Sequence, residues 1–144
     1  MAAALALVGC SDWRDEVAPR TAPEPPEQVP VEAAPFTLEW GETRATLTPR
    51  ARYRVEAVVL ARDASMDDPW SEVAALDVAL GWGPMSSGPI LKHLRFHLRR
   101  RYVSVRWDGD FPLGTQDVMH NLSNHHLVAA SEAVAETLGE LRPG

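Results

Sequence analysis

Six prolines stand between residues 19 and 35 of this 144-residue chain (Pro19, Pro23, Pro25, Pro26, Pro30 and Pro35), and they bound what can fold. Each fixes its own φ and lacks an N–H, so a helix cannot run through them. The extended polyproline form they favour advances about 3.1 Å per residue. Six acids (Asp12, Asp15, Glu16, Glu24, Glu27 and Glu32) against two arginines in 11–35 keep the stretch solvated. Residues 10–35 therefore read as an acidic tether. Folding is left to residues 36–144, which can bury roughly two-thirds of their unfolded surface in one domain.

Within 36–144 the pattern predicts an α+β domain: a small, mainly antiparallel sheet with a few short helices, one of them C-terminal. Phe36–Trp40 alternates apolar and polar residues, and Gly41-Glu42 turns it into Thr43–Thr48 as a hairpin. Tyr53–Ala61 predicts one strand, with Tyr53, Val55, Ala57, Val59 and Ala61 on one face. Asp63–Trp70 reads as a polar loop. Ser71–Leu80 is ambiguous: Val73, Leu76, Ala79 and Leu80 fit a helical face that Ser71 could cap, and Gly81-Trp82-Gly83-Pro84 stops anything regular. A helical turn or two is expected before Leu94, then strands at Phe96–Leu98 and Tyr102–Trp107. A loop at Asp108-Gly109, a turn around Asp117–Asn121 and a buried strand at His126–Ala129 follow. Ser131 should cap a last helix, Glu132–Leu141, with Val134, Leu138 and Leu141 inward.

Charge excludes one class of partner. The chain carries −6 overall, and the domain alone is close to −2. A nucleic-acid binder draws its affinity from a basic face against phosphates. One cluster runs against the trend, Arg99-Arg100-Arg101. On a strand these side chains alternate, which gives either a solvated face or a contact with an anion or lipid headgroup.

No cofactor is expected. His120, His125 and His126 lie within seven residues and His93 and His97 are four apart, but neither set offers the rigid spacing of a tetrahedral zinc site. No G-x-S-x-G elbow is present, and Gly81, Gly83 and Gly88 are not followed by the lysine of a phosphate loop. Those glycines instead let the chain bend around Trp82, which is either core or cleft lining.

Cys10 is the sole cysteine, so no intramolecular disulfide can form. The apolar run 2–9 before it is less than half the length a membrane-spanning helix needs. It has the length of a signal-peptide hydrophobic region; an unprocessed apolar tail and a reactive free thiol are the alternatives. Leu7-Val8-Gly9-Cys10 resembles the lipobox of bacterial lipoproteins. The resemblance implies that residues 1–9 are removed, that Cys10 is lipidated, and that the protein faces the periplasm from the cell envelope. Ser11 after the cysteine is compatible in that family with the outer membrane. The implied partners are the membrane, through lipid on Cys10, and another envelope protein as a candidate.

Leu76-Asp77-Val78-Ala79-Leu80-Gly81-Trp82-Gly83-Pro84-Met85-Ser86 is similar to the motif D-x-A-x-G-W-G-x-M-S of a family of uncharacterised, membrane- or lipid-anchored bacterial proteins. Arg101-Tyr102 and Asn124-x-His126-Leu127-Val128-x-Ala130 extend the likeness. The resemblance implies a shared fold and envelope location, and no activity. It also implies further strands beyond the position of Gly144, so the domain is expected to lack its last strand.

Asp77, Trp82, Arg101, Tyr102, Asn124 and His126 form the candidate polar cluster. Asp77 is the sole charge between Val73 and Lys92. A carboxylate in apolar surroundings must be hydrogen-bonded or paired. The expected partners are Arg101, His126 or the amides around Gly81–Gly83. Either it pins the Gly-Trp-Gly bend of a non-catalytic binding or scaffolding domain, or it works with His126 in a hydrolase.

Overall fold

Residues that alternate or are buried on both faces become strands in this chain, and they pair both as neighbouring hairpins and across long separations, β6 with β9 above all. The computed structural model describes residues 14, 17, 22–64, 68, 70–107 and 109–144. Residues 1–13, with Cys10 and Ser11 among them, part of the expected loop at 63–70 and Asp108 lie outside that set. The described strands are β1 (Glu27–Pro30), β2 (Phe36–Trp40), β3 (Thr43–Leu47), β4 (Ala51–Arg54), β5 (Val58–Asp63), β6 (Leu76–Gly81), β7 (Leu94–Arg99), β8 (Tyr102–Trp107) and β9 (Leu122–Leu127). The helices are α1 (Gly88–Leu91), α2 (Thr115–His120) and α3 (Glu132–Gly139). The fold is α+β, with every pairing antiparallel.

The central sheet has the order β5-β6-β9, and three two-stranded ribbons, β1-β4, β2-β3 and β7-β8, surround it. Register decides the faces. Asp77 lies opposite Asp63 on one side and His126 on the other, and Ala79 opposite Ala61 and Asn124. Ala79 and Leu122 share the core with Val58, Leu60, Met85, Leu91, Leu94 and Val118. The β7-β8 hairpin closes this core with Phe96, Val103 and Val105. On the sheet's opposite face, His125 reaches Tyr53 of β4, while Leu76 and Leu127 line a groove with Ala135 and Leu138 of α3.

Several expectations are corrected. Leu76–Leu80 is a strand: Leu76, Asp77, Val78 and Ala79 are all buried, and a segment covered on both faces loses the period that separates strand from helix. Tyr53–Ala61 is two strands interrupted at 55–57, so β4 pairs with β1 while β5 joins the central sheet. The turn expected at Asp117–Asn121 is helix α2, whose Asp117 carboxylate accepts from the Gly114 N–H at 3.1 Å. The last strand runs Leu122–Leu127 rather than His126–Ala129. Ser131 does cap α3, accepting from the Val134 N–H at 3.3 Å, but Val134 points outward at 42% exposure.

The tether also needs revision. Glu27–Pro30 pairs with Ala51–Arg54, and Val17 packs against the core. Ala22 is 1% exposed, and its carbonyl accepts from the Gly83 N–H at 2.7 Å. The Ser86 hydroxyl accepts from the Ala22 N–H at 3.1 Å and has the carbonyls of Gly83, 2.8 Å away, and Ala22 within donating reach. Proline excludes a helix there without excluding an edge strand or a docked extended segment.

Candidate functional site

The polar cluster forms where the core face of the central sheet runs out of apolar residues. Asp63, Asp77 and His126 make a row across β5, β6 and β9. The β7-β8 hairpin lies over this face, and its turn lowers Arg101 onto the row. That turn comprises Arg100 and Arg101, because Arg99 pairs directly with Tyr102. Both turn residues have positive φ, 48° and 65°. A two-residue hairpin turn of this hand ordinarily carries Asn-Gly, because side chains with a Cβ strain it. The three arginines therefore do not alternate along a strand as expected: Arg99 ends β7, and the next two make the turn.

Asp77 is fully buried, and its Oδ1 takes two donors. His126 Nδ1 lies 2.9 Å away and Arg101 Nη1 3.3 Å away. Asp77 Oδ2 is buried with no hydrogen-bond partner among the described residues. Arg101 is held more firmly by Asp68, in a two-pronged contact of 2.6 Å from Nε and 2.9 Å from Nη2. Its Nη1 and Nη2 also donate to the Ala74 carbonyl at 3.3 Å. Asn124 completes the latch by donating from Nδ2 to the Arg101 carbonyl at 2.8 Å.

Electrostatics follow from these contacts. The Arg101 hydrogen bonds hold the Asp68 carboxyl below the usual carboxylate range. In return Asp68, ahead of the charges on Asp77 and Asp63, raises the Arg101 guanidinium above its ordinary value. On the other face of β9, burial pushes the His125 imidazole down and the Tyr53 phenol up. Their Nε2···Oη distance is 3.2 Å.

The two remaining candidates stand apart. Tyr102 is 80% exposed on the outer side of the hairpin. Trp82 is core, 6% exposed, with its backbone N–H on the Asn121 carbonyl at 3.1 Å. Asp77 does not pin the Gly-Trp-Gly bend, which lies at the far end of β6. Ala22, Ser86 and Asn121 hold it. A Cβ at Gly81 would lie 2.3 Å from the Met85 carbonyl oxygen, and Gly83 has φ +52°. Those two positions need glycine for close approach and for backbone sign.

Sequence reasoning missed Asp68, although a signal existed. Asp68 precedes Pro69-Trp70, and an Asp two residues before an amide it can cap marks a turn. Asp68 Oδ1 accepts from the Trp70 N–H at 2.8 Å. The docking of Ala22 on Ser86 had no such signal.

His126 leads out of the latch into an open cleft. Its side chain is 47% exposed, and Nδ1 is the ring nitrogen that Asp77 holds. The cleft measures ≈ 480 Å³, with Ala45 and Leu47 of β3, Trp70, Val73 and Val128 as its apolar walls. Arg101 and His126, with Arg44 of β3, are its charged and titratable lining. Thr46 is the hydroxyl-bearing residue of the lining, and its Oγ1 is 3.2 Å from Thr37 Oγ1. No group of three or more His, Cys, Asp or Glu among the described residues is arranged to hold a metal. Compared with known protein families, with curated proteins and with solved structures, the chain matches none.

Proposed function

We propose that this chain is a lipid-anchored protein of the bacterial envelope whose domain binds an apolar ligand or partner segment, without catalysis, in the cleft beside His126. One observation carries the binding assignment. Asp77 is sealed and Arg101 is engaged, so the ionic cluster fixes the back wall, while apolar side chains and a half-exposed imidazole face outward. Ligand sites combine an apolar lining with a few fixed polar groups in this way. The envelope assignment rests on Leu7–Cys10, and several acyl chains would hold the protein at a membrane without a spanning helix.

A second reading has its own observation. Asp77 Oδ1 on His126 Nδ1 orients the imidazole with Nε2 outward, as a general base requires. In that reading His126 activates water against an ester or phosphoester bound in the cleft.

One set of measurements separates the two. A fluorescent fatty-acyl probe should bind the full chain, and Ala45→Trp or Val128→Trp should weaken it at least roughly tenfold by filling the cleft. Probe binding indifferent to both substitutions would end the binding assignment. Turnover of chromogenic esters or phosphoesters that disappears in His126→Gln would establish the hydrolytic reading instead.

A further inference from the structure

The hairpin that supplies Arg101 has a second face, turned away from the core. From Leu94 to Trp107 it carries five arginines and no acid, in a chain of net charge −6. Arg101 is spent inward. Arg95, His97, Arg99, Tyr102, Ser104 and Arg106 point outward and are exposed. Arg95 and Arg106 are direct cross-strand partners. Like charges placed opposite each other destabilise a sheet. An anion lying between them removes that cost.

The face has a concave part. Arg62 of β5 joins His97, Arg99, Tyr102 and Arg106 around a cleft of ≈ 800 Å³, in which Asp63 is the acid among the lining residues. Arg62 Nε is buried with no partner among the described residues. A guanidinium edge left unmatched beside two more arginines suits a phosphate, whose oxygens accept paired N–H donors.

We infer that this face docks on the anionic phospholipid headgroups of the membrane that carries the lipidated Cys10, with a headgroup phosphate in the Arg62–Arg99–Arg106 cleft. The inference rests on the lipid-anchor reading for its choice of membrane over free phosphate. Chain length supports that choice. Cys10 is four Cα steps from Arg14, hence within about 15 Å of it. The carbonyls of Arg14 and Val17 lie against Gly88 at the start of α1, where a Cβ would meet Val17 O at 2.2 Å. Helix α1 leads through Lys92 and His93 directly into β7. An anchor at Cys10 thus holds the hairpin at the bilayer surface instead of clear of it.

The test uses the full chain carrying Cys10→Ser, so that no acyl chain contributes, with vesicles of phosphatidylcholine alone or mixed with phosphatidylglycerol. Binding should require phosphatidylglycerol and weaken with salt. Arg95→Gln/Arg99→Gln/Arg106→Gln should lower the partition coefficient roughly 100-fold at an unchanged melting temperature, since each basic residue near an anionic surface counts for several-fold. Arg99→Glu alone replaces the triple variant should that one melt early. Equal binding to both vesicles, or retention by the triple variant, overturns the proposal. Micromolar binding of free inorganic phosphate or glycerol phosphate in the absence of vesicles also overturns it, in favour of a soluble ligand. Acyl mass on Cys10 of the unmodified sequence is read separately. Vesicle binding without acylation defeats the anchor alone, and acylation without vesicle binding defeats the docking face alone.

Discussion

Among single residues, Arg101 has the most contacts to satisfy. Its backbone sits at a φ that side chains with a Cβ rarely adopt, and its guanidinium reaches two carboxylates and a carbonyl. Left-handed backbone at a non-glycine residue costs on the order of 1 kcal/mol, so the turn persists because the ion pairs and Asn124 hold it. The neighbouring Arg100 shares the strain at φ 48° and is exposed. Arg100→Asn should therefore stabilise the protein by about 0.5 kcal/mol in urea unfolding, because asparagine tolerates this turn position. Asp77→Ala should cost about 1–3 kcal/mol by leaving His126 Nδ1 and part of Arg101 unmatched in a sealed site. A change under a few tenths would mean that Asp68 alone holds the hairpin down. The burial of Asp77 was legible because a lone charge in an apolar run has few physical outcomes. Its partner Asp68 was not, since nothing in a polar loop states which of several acids will meet an arginine 33 positions later.

Between elements, legibility followed exposure. The β2-β3 hairpin and the Ser131 cap could be read because the first alternates exposed and half-buried residues along β3 and the second has a defined terminus. Strand β6 could not, because burial on both faces erased the alternation that distinguishes it from a helix. The N-terminal stretch misled for a different reason: its composition reports solvation, whereas it is docked through backbone hydrogen bonds of Ala22. The Ala22 backbone bonds to the Ser86 hydroxyl and to the Gly83 N–H, and β1 pairs with β4 a few residues later. Ser86→Ala removes the hydroxyl that serves Ala22 N and Gly83 O. It should cost about 1–3 kcal/mol and make the stretch 22–30 markedly more sensitive to limited proteolysis. Unchanged protection of that stretch would show that β1-β4 pairing holds it unaided.

For the whole molecule, His125 and Asp68 both contribute to the response to acid, and both act in one direction. The folded state holds His125 below its ordinary value by burial, so as pH falls beneath the normal histidine range the unfolded chain takes the proton first and stability drops. That loss levels off once the pH has passed the lowered folded value. The Asp68 carboxylate, lowered by Arg101, contributes stability above its unfolded value near 3.8. This part is lost as the pH falls through the lower folded value. The melting temperature should thus decline in two steps on acidification. His125→Gln should flatten the first step and Asp68→Asn the second, and a profile unaltered by either would contradict the assignment. The proposed lipid anchor stands or falls on Cys10. The most direct measurement is intact-mass spectrometry of the full chain expressed from its own start in a Gram-negative host and recovered by detergent partitioning. The expected product is a detergent-phase protein that has lost residues 1–9 and gained acyl mass on Cys10. A water-phase protein that retains Met1 and carries an unmodified Cys10 would contradict it.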